Sequence, residues 1–203
     1  MATVRTRLKL GPLDHGRRVS HADLESADYA PGFKYEIIDG RLYVSPQPNV
    51  PEFLLERWLR RAMELYADAH PAVVNLIAVK GRVFLPEAAR PTVPEPDIAA
   101  YRDFPLDAPF EDVRWESVSP ILVCEILVEG SIEKDLGRNP DLYHRVPSIK
   151  EYWVLNGSED PEQPTLIQHS RRGKAWTVAG FPYGSTFTTK LLPGFSLVID
   201  PRK

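Results

Sequence analysis

The sequence is poor in cysteine: Cys124 is the only one among 203 residues. A single cysteine forms no intrachain disulfide and cannot supply a metal cage of several thiolates. Both ways of stabilising a fold are therefore excluded, and we expect the chain to work in a reducing interior.

Long apolar runs are absent as well. A membrane-spanning helix needs about 20 consecutive apolar residues, and no segment of the sequence reaches that length. The basic start, MATVRTRLKLGPLDHGRR, also lacks the apolar stretch of a secretion signal. We therefore expect a soluble, cytoplasmic protein with no membrane partner.

A strong excess of either charge is missing too. The formal net charge is -3 and the isoelectric point lies near 6.0. This balance gives no general attraction to nucleic acid, so any phosphate contact would require a local basic patch.

The sequence does contain enough apolar residues for a core. Hydrophobic residues make up 43% of the chain, and no low-complexity tract interrupts them. A chain of this length can fold as one α/β domain. We expect a flexible N-terminus over residues 1–19 and a single domain over residues 20–203.

The segment ILVCEILVEG, residues 121–130, has the composition of a strand that is buried on both faces. Glu125 interrupts it. Because side chains alternate along a strand, Glu125 shares a face with Val123 and Leu127, whereas Cys124 lies on the other face. An unpaired buried carboxylate costs on the order of several kcal/mol. Glu125 should therefore be paired, protonated or bound to a cation.

A second carboxylate, Asp97, opens the apolar run IAAY after a proline-rich loop. Aspartate is frequent at turns, so Asp97 could simply cap one. Glu125 follows 28 residues later, an interval that leaves room for a loop and for pairing of neighbouring strands. Two carboxylates on adjacent strands form a hard oxygen site suited to Mg²⁺ or Mn²⁺.

The stretch YEIIDGRLYVS predicts a hairpin from Lys34 to Ser45, because the dipeptide Asp39-Gly40 suits the positive φ angles of a two-residue turn. Glu36 lies in its first strand. From the pattern alone, the favoured interpretation of Glu36 is an exposed hairpin carboxylate.

Capping signals and periodicity predict the helices. Ser20 and Asp23 indicate a short helix over residues 22–27. An amphipathic helix is predicted over residues 51–69, with three arginines towards its polar side, which could touch phosphates but are more typical of a solvated face. Its predicted apolar stripe is Leu54, Leu55, Trp58, Leu59, Ala62, Leu65 and Tyr66.

The remaining segments predict the strands around these helices. VVNLIAVKGRVFL indicates one or two strands, and the last 40 residues indicate an antiparallel tail. Between Glu125 and the strand EYWVLN, Asn139 is predicted to be the N-cap of a helix with Pro140 at its first position. A strand, a crossover helix and a strand indicate parallel pairing.

Five segments in this order resemble the Uma2 family of restriction-endonuclease-like proteins, which is similar to the PD-(D/E)XK nuclease superfamily. The likeness runs from about Ser20 to Asp200. The segments are YEIIDGRLYVSPQP, PEPDIAAY, SPILVCEILVEGS, KDLGRNPDLYHRVPSIKEYWVLN and LLPGFSLVID.

The resemblance implies a restriction-endonuclease-like α/β (α+β) fold: a mixed central β-sheet flanked by helices, an N-terminal hairpin and antiparallel C-terminal strands. It also implies that Glu36, Asp97 and Glu125 are the acidic set that holds Mg²⁺ or Mn²⁺. This assignment overrides the exposed interpretation of Glu36. DNA is the implied substrate, and a homodimer is the implied assembly.

The chain departs from the family pattern at the lysine. The superfamily lysine would stand where this chain has Leu127, and the Uma2 alternative on the following helix corresponds to Asn139. Since Asn139 is predicted to cap a helix, we expect Lys134 to substitute for the missing lysine, although a solvated loop lysine is as reasonable an interpretation.

Three functions remain in competition. The first is a Mg²⁺-dependent endonuclease that hydrolyses DNA, with Glu36, Asp97, Glu125 and Lys134 as catalytic residues. The second is a weak or inactive nuclease-fold module that binds nucleic acid or serves as an accessory. The third is a purely structural domain in which Lys or Arg satisfies Glu125. Retention of the acids favours the first function, and the missing lysine favours the second.

Overall fold

The computed structural model describes residues 7–86, 88–128 and 133–203. The chain packs as two compact units. The first comprises Met1–Gln47 and Phe84–Glu95, and the second comprises Pro48–Val83 and Pro96–Lys203. The first six residues of the expected flexible N-terminus lie outside the described residues.

The described residues of the first unit form short strands, one α-helix and one hairpin. Strands β1 and β2 pair in parallel, and β3 and β4 pair in antiparallel fashion. A 3₁₀ turn at Pro12–Asp14 follows β1. The elements are β1 (Lys9–Leu10), α1 (His21–Ser26), β2 (Asp28–Tyr29), β3 (Phe33–Ile38) and β4 (Arg41–Pro46).

Two predicted local signals of this unit are confirmed. Asp39 and Gly40 have φ angles of 51° and 74° and form the two-residue turn between β3 and β4. Ser20 caps α1 by accepting a hydrogen bond from the Asp23 backbone, while the Asp23 carboxylate accepts from the Ser20 backbone. The turn fixes the register of the strand that carries Glu36.

The core of the first unit draws on residues before the expected domain start. Leu10 and Val19 are buried with Ile37, Leu42 and Val93 in one apolar cluster. Two residues of the predicted flexible segment, Leu10 and Val19, are therefore part of this core. A single domain over residues 20–203 stays a prediction.

The second unit contains the large sheet and the longest helix. Its first elements are α2 (Val50–Ala69), β5 (Leu76–Val79), β6 (Ile98–Tyr101), a 3₁₀ turn (Trp115–Ser117), β7 (Leu122–Leu127), a π-helical segment (Glu133–Arg138) and α3 (Asn139–His144). The others are β8 (Glu151–Asn156), β9 (Thr165–Arg172), β10 (Ala175–Phe181), β11 (Thr186–Thr188) and β12 (Ser196–Val198).

Six strands form the central sheet in the order β10-β9-β8-β7-β6-β5. The pair β7 and β8 is parallel, and the other neighbours are antiparallel. Strands β11 and β12 form a separate antiparallel pair. The predicted mixed central sheet, the parallel crossover after the Glu125 strand and the antiparallel tail are confirmed.

Helix α2 covers one face of this sheet. Asn49 caps its N-terminus, and Leu55, Leu59 and Met63 pack in a cluster that includes Cys124. The predicted helix is confirmed, and so is the placement of Cys124 on the face opposite Glu125.

The predicted apolar stripe of α2 was too wide. Leu54 is 53% exposed and Leu65 is 60% exposed, while Met63 and Ala67 are buried. The buried line runs from Leu55 in steps of four residues, so Leu54 and Leu65 fall to its sides.

The segment VVNLIAVKGRVFL contains only the strand β5. Lys80 has a positive φ of 56°, which ends the extended conformation there. No helix within the described parts of the chain is long and apolar enough to cross a bilayer.

Candidate metal and nuclease site

Asp97 and Glu125 are brought together by the register of β6 and β7. Ile98 pairs with Cys124 in this antiparallel ladder. Continuing the ladder by one residue puts Asp97 opposite Glu125, and residues opposite each other project from the same face. That face is the one that α2 does not cover. The sequence-predicted pair of carboxylates on adjacent strands therefore has a direct basis in the sheet.

Asp97 is fixed by the backbone of the neighbouring strand. Its Oδ2 accepts a hydrogen bond from the Ile126 amide at 2.8 Å, and the side chain is buried. In a regular antiparallel ladder a backbone carbonyl would accept this hydrogen bond. The Asp97 carboxylate therefore replaces a backbone carbonyl as the hydrogen-bond acceptor at the beginning of β6. This hydrogen bond restricts the orientation of the Asp97 side chain.

Glu125 is held by two neutral donors from the helical segment that follows its strand. The side chain is 1% exposed. Its Oε1 accepts hydrogen bonds from the Asn139 amide nitrogen at 3.0 Å and from the Tyr143 hydroxyl at 2.7 Å. Hydrogen bonds to an ionised acceptor are stronger than neutral ones, so these donors offset part of the desolvation cost of the carboxylate.

The predicted N-cap role of Asn139 is wrong. The helix continues backwards from α3 into the π-helical segment, and Arg138 precedes Asn139 with helical dihedral angles. Asn139 is buried, and its amide nitrogen donates to Glu125 and also to Asp135 Oδ1 at 3.0 Å. The Arg138 guanidinium donates to its oxygen at 3.2 Å. Asn139 thus reaches the site, as the family pattern for the shifted lysine implied.

Asp135 is a site residue that sequence reasoning missed. Its side chain is buried and accepts from Asn139, and its backbone carbonyl accepts from the Tyr152 hydroxyl at 2.7 Å. The spacing of four residues between Asp135 and Asn139 on one helical segment was the available signal. The π-helical segment that carries Asp135 is a form found frequently at functional sites.

The negative charges of the site act together on their neighbours. Burial raises the pKa of the Tyr152 hydroxyl, and the charges of Glu125, Asp135 and Asp97 raise it further, in that order. The pKa of the Cys124 thiol is raised by burial first and then by Glu125 and Asp97. Three carboxylates therefore contribute to one negative region, which is the electrostatic condition for binding a cation.

Glu36 and Lys134 complete the predicted set. Glu36 is 4% exposed, so the exposed interpretation of this residue is wrong. Within the first unit its Oε1 accepts from the Glu95 backbone amide at 3.0 Å. Lys134 lies in the π-helical segment and is half-buried. The roles of both residues stay predictions.

The chemistry of the donors fits a hard divalent cation. Within residues 7–86, 88–128 and 133–203, no three His, Cys, Asp or Glu side chains form a group placed to hold a metal ion. Mg²⁺, however, is commonly bound through one or two carboxylates, while water and substrate phosphates fill its other positions. Asp97 and Glu125 supply two carboxylates of this kind from one face of the sheet.

A family model matches most of the chain. The family model described as "Uma2: Putative restriction endonuclease" matches residues 22–200. The chain belongs to the Uma2 family. The resemblance inferred from the five sequence segments is thereby confirmed.

The Uma2 fold also has a solved counterpart. The chain is similar to a crystal structure described as a putative nuclease belonging to DUF820 from Anabaena variabilis ATCC 29413, with a TM-score of 0.62 and 12% identity. The similarity covers 89% of this chain and 95% of the other. At this identity the likeness establishes the fold, which is the predicted nuclease-like mixed sheet. None of the curated proteins compared with the chain matches it.

Proposed function

We propose that this Uma2 protein is a metal-dependent endonuclease that hydrolyses phosphodiester bonds in DNA. The observation that carries the proposal is the placement of Asp97 opposite Glu125 on one buried face, beneath the donors Asn139 and Tyr143. Burying carboxylates side by side is unfavourable unless a cation or a proton compensates. Family membership over residues 22–200 supports the same function.

Asp97 and Glu125 would hold Mg²⁺ or Mn²⁺, and the family resemblance adds Glu36 to this set. The bound cation would polarise the scissile phosphate and help to ionise the attacking water. The protein's own part is to fix the carboxylates. The Ile126 amide orients Asp97, and Asn139 and Tyr143 orient Glu125.

A positive side chain near the scissile phosphate would offset charge that develops in the transition state. The nuclease superfamily uses a lysine for this purpose, and this chain has Leu127 and Asn139 at the two expected positions. Lys134, one residue before Asp135 in the π-helical segment, is the proposed substitute.

We also infer, from the family resemblance, a homodimer that cuts both strands. Size-exclusion chromatography with light scattering tests this assembly.

The neutral side chain of Asn139, which donates to Glu125, favours a second function. Asn139 is neutral, so it contributes a hydrogen bond to Glu125 without the charge of a lysine. A chain that keeps the acids but lacks this charge could bind metal and nucleic acid with little or no turnover. The second proposed function is therefore a nuclease-fold accessory module that binds DNA.

A plasmid-nicking assay separates the two functions. Purified protein with Mg²⁺ or Mn²⁺ should convert supercoiled plasmid to nicked and linear forms, and Glu125→Gln should abolish this activity. Glu111→Gln, in an exposed loop, is the matched control and should cleave like the wild type.

Cleavage that persists in Glu125→Gln would indicate a contaminating nuclease and contradict the endonuclease proposal. Metal-dependent retention of plasmid in a gel-shift experiment, without cleavage, would instead support the accessory module.

A further inference from the structure

A cavity of about 500 Å³ lies along the N-terminal half of α2, the helix that covers the Cys124 face of the sheet. Its walls come from α2, from the loop around Pro161 and from the last residues around Pro201. Glu125 projects from the other face of the sheet. Small-molecule sites commonly have volumes of roughly 300–1,000 Å³, so the cavity is large enough for a ligand of nucleotide size.

The charge of this cavity is predominantly positive. Four cations line it, Arg57, Arg61, Arg202 and Lys203, against the single acid Glu162. Arg202 pairs with Glu162, and Lys203 pairs with the nearby Asp200 at 3.4 Å. The other two cations of the cavity are the α2 residues Arg57 and Arg61.

Arg57 and Arg61 have no ion pair with any residue in the described parts of the chain. They stand four residues apart on α2, a spacing at which like charges destabilise a helix. Arg60 on the same helix behaves differently, because it pairs with Glu56 at 3.9 Å and Glu64 at 3.1 Å. Among the arginines of α2, the two that line the cavity are therefore the ones without an acidic partner in the described parts of the chain. An anion bound between them would supply it.

Apolar side chains, some of them flat rings, form much of the remaining wall of the cavity. Trp58 lies between the two arginines in sequence and is half-buried, and the rings of Pro161 and Pro201 form part of the opposite walls. Leu54 contributes an apolar side chain that is largely exposed to solvent. Aromatic side chains and arginine planes stack readily on planar rings such as nucleobases. An anion site beside flat apolar walls suits a ligand that combines a phosphate with an aromatic ring.

We propose that this cavity, which we call the α2 cavity, binds a phosphate-bearing aromatic ligand of mononucleotide size. Arg57 and Arg61 hold the phosphate, and Trp58 contacts the ring. The site is independent of the carboxylates that we propose for cleavage, since it lies on the α2 side of the sheet and contains no carboxylate of that group.

Isothermal titration calorimetry with 2′-deoxyadenosine 5′-monophosphate tests the proposal. EDTA is present throughout, so that no cation at Asp97 and Glu125 contributes. We expect saturable binding with one site per chain. The double variant Arg57→Gln, Arg61→Gln should weaken binding at least ~10-fold, because each arginine supplies a charge-assisted hydrogen bond.

Two control variants locate the site, and two partial ligands define its chemistry. Arg60→Gln and Glu125→Gln should bind the nucleotide like the wild type. Inorganic phosphate and deoxyadenosine, titrated separately, should each bind at least ~10-fold more weakly than the nucleotide, since each makes only part of the contacts.

The proposal is overturned by any of three results. These are no binding at millimolar nucleotide, equal affinity in the wild type and the double variant, or phosphate binding as tight as that of the nucleotide. A loss of binding in Glu125→Gln that the double variant does not share would place the nucleotide at the carboxylate site and would also reject it.

Discussion

Asn139 donates its side-chain amide nitrogen to two buried carboxylates, Glu125 and Asp135, each across 3.0 Å. An amide nitrogen carries two hydrogens, so both are used. One partner lies on β7 and the other on the π-helical segment. Asn139 therefore joins β7, which carries Glu125, to the π-helical segment, which carries Asp135.

Removing this amide should destabilise the protein. Asn139→Ala takes one donor from each of two buried carboxylates, and losing a partner of a buried polar group costs about 1–3 kcal/mol. We expect a lower free energy of unfolding in urea by at least that amount. Gln163→Ala, which removes an exposed amide, should change it by less than about 0.5 kcal/mol. Equal stability of the two variants would contradict the bridging role of Asn139.

Replacing Asn139 by lysine should increase cleavage. Asn139→Lys puts an ammonium group at the position that already reaches Glu125, and one well-placed electrostatic stabiliser is worth about 10- to 1,000-fold in rate. The plasmid-nicking rate of Asn139→Lys with Mg²⁺, relative to the wild type, measures this effect. A folded variant whose rate is no higher would count against Asn139 as the lysine position.

Lys134 is the competing position for the missing charge. If Lys134 stabilises the transition state, Lys134→Ala should slow cleavage by about 10- to 1,000-fold. Metal-induced stabilisation of the fold should be intact, because the carboxylates remain. Nicking rates and thermal melts of the variant check both parts. Wild-type activity in Lys134→Ala would exclude the assignment.

Divalent metal should stabilise the fold through Asp97 and Glu125. A ligand that binds only the native state at 100 times its Kd adds about 2.7 kcal/mol, which corresponds to a Tm increase of roughly 5–10 °C for a chain of this size. Scanning calorimetry with Mg²⁺ or Mn²⁺ should show the increase in the wild type and in the exposed-loop control Glu111→Gln, Asp112→Asn. The same increase in Asp97→Asn, Glu125→Gln would place the cation elsewhere.

His169 should make stability depend on pH. Burial lowers its pKa below the ordinary value of 6.5, and both ring nitrogens lack a hydrogen-bond partner in the part of the chain that the structure describes. The folded state therefore disfavours the charged ring. Its stabilising contribution is fully present above pH 6.5 and is lost as the pH falls through the lowered pKa.

Urea unfolding at pH 7.5 and pH 5 measures this dependence. His169→Phe keeps the ring packing against Tyr152 but cannot be protonated, so its loss of stability between the two pH values should be smaller than that of the wild type. Gln163→Ala, which removes an exposed amide that does not titrate, should behave like the wild type. An unchanged pH dependence in His169→Phe would assign the effect to other groups, such as His144, whose pKa burial also lowers.

The sequence was sufficient to predict the two neighbouring strands that carry Asp97 and Glu125. An apolar strand interrupted by Glu125, and an aspartate that opens a second strand, are local patterns, and strand alternation fixes which face each carboxylate takes. The hairpin turn at Asp39-Gly40 was likewise predictable, because few residues tolerate two positive φ angles in succession.

The helical side of the site was not predictable in the same way. An asparagine before a proline is typical of a helix N-cap, yet the π-helical segment extends the helix beyond Asn139 and turns its side chain to Glu125. That extension depends on tertiary contacts such as the one from Tyr152 to Asp135. On α2, neighbouring positions differ by about 100° around the axis, so periodicity alone could not separate the buried Leu55 from the exposed Leu54.

The hydrogen bond from the Ile126 amide to Asp97 makes one backbone proton a reporter of the carboxylate. The resonance frequency of an amide proton in a hydrogen bond depends on the charge and the distance of the acceptor. The rate at which this proton exchanges with solvent depends on how often the hydrogen bond opens. In a nitrogen-15 labelled sample, the Ile126 peak should therefore move when Asp97 binds a cation, takes up a proton or is replaced by asparagine. The state of the site could thus be followed by nuclear magnetic resonance without any substrate.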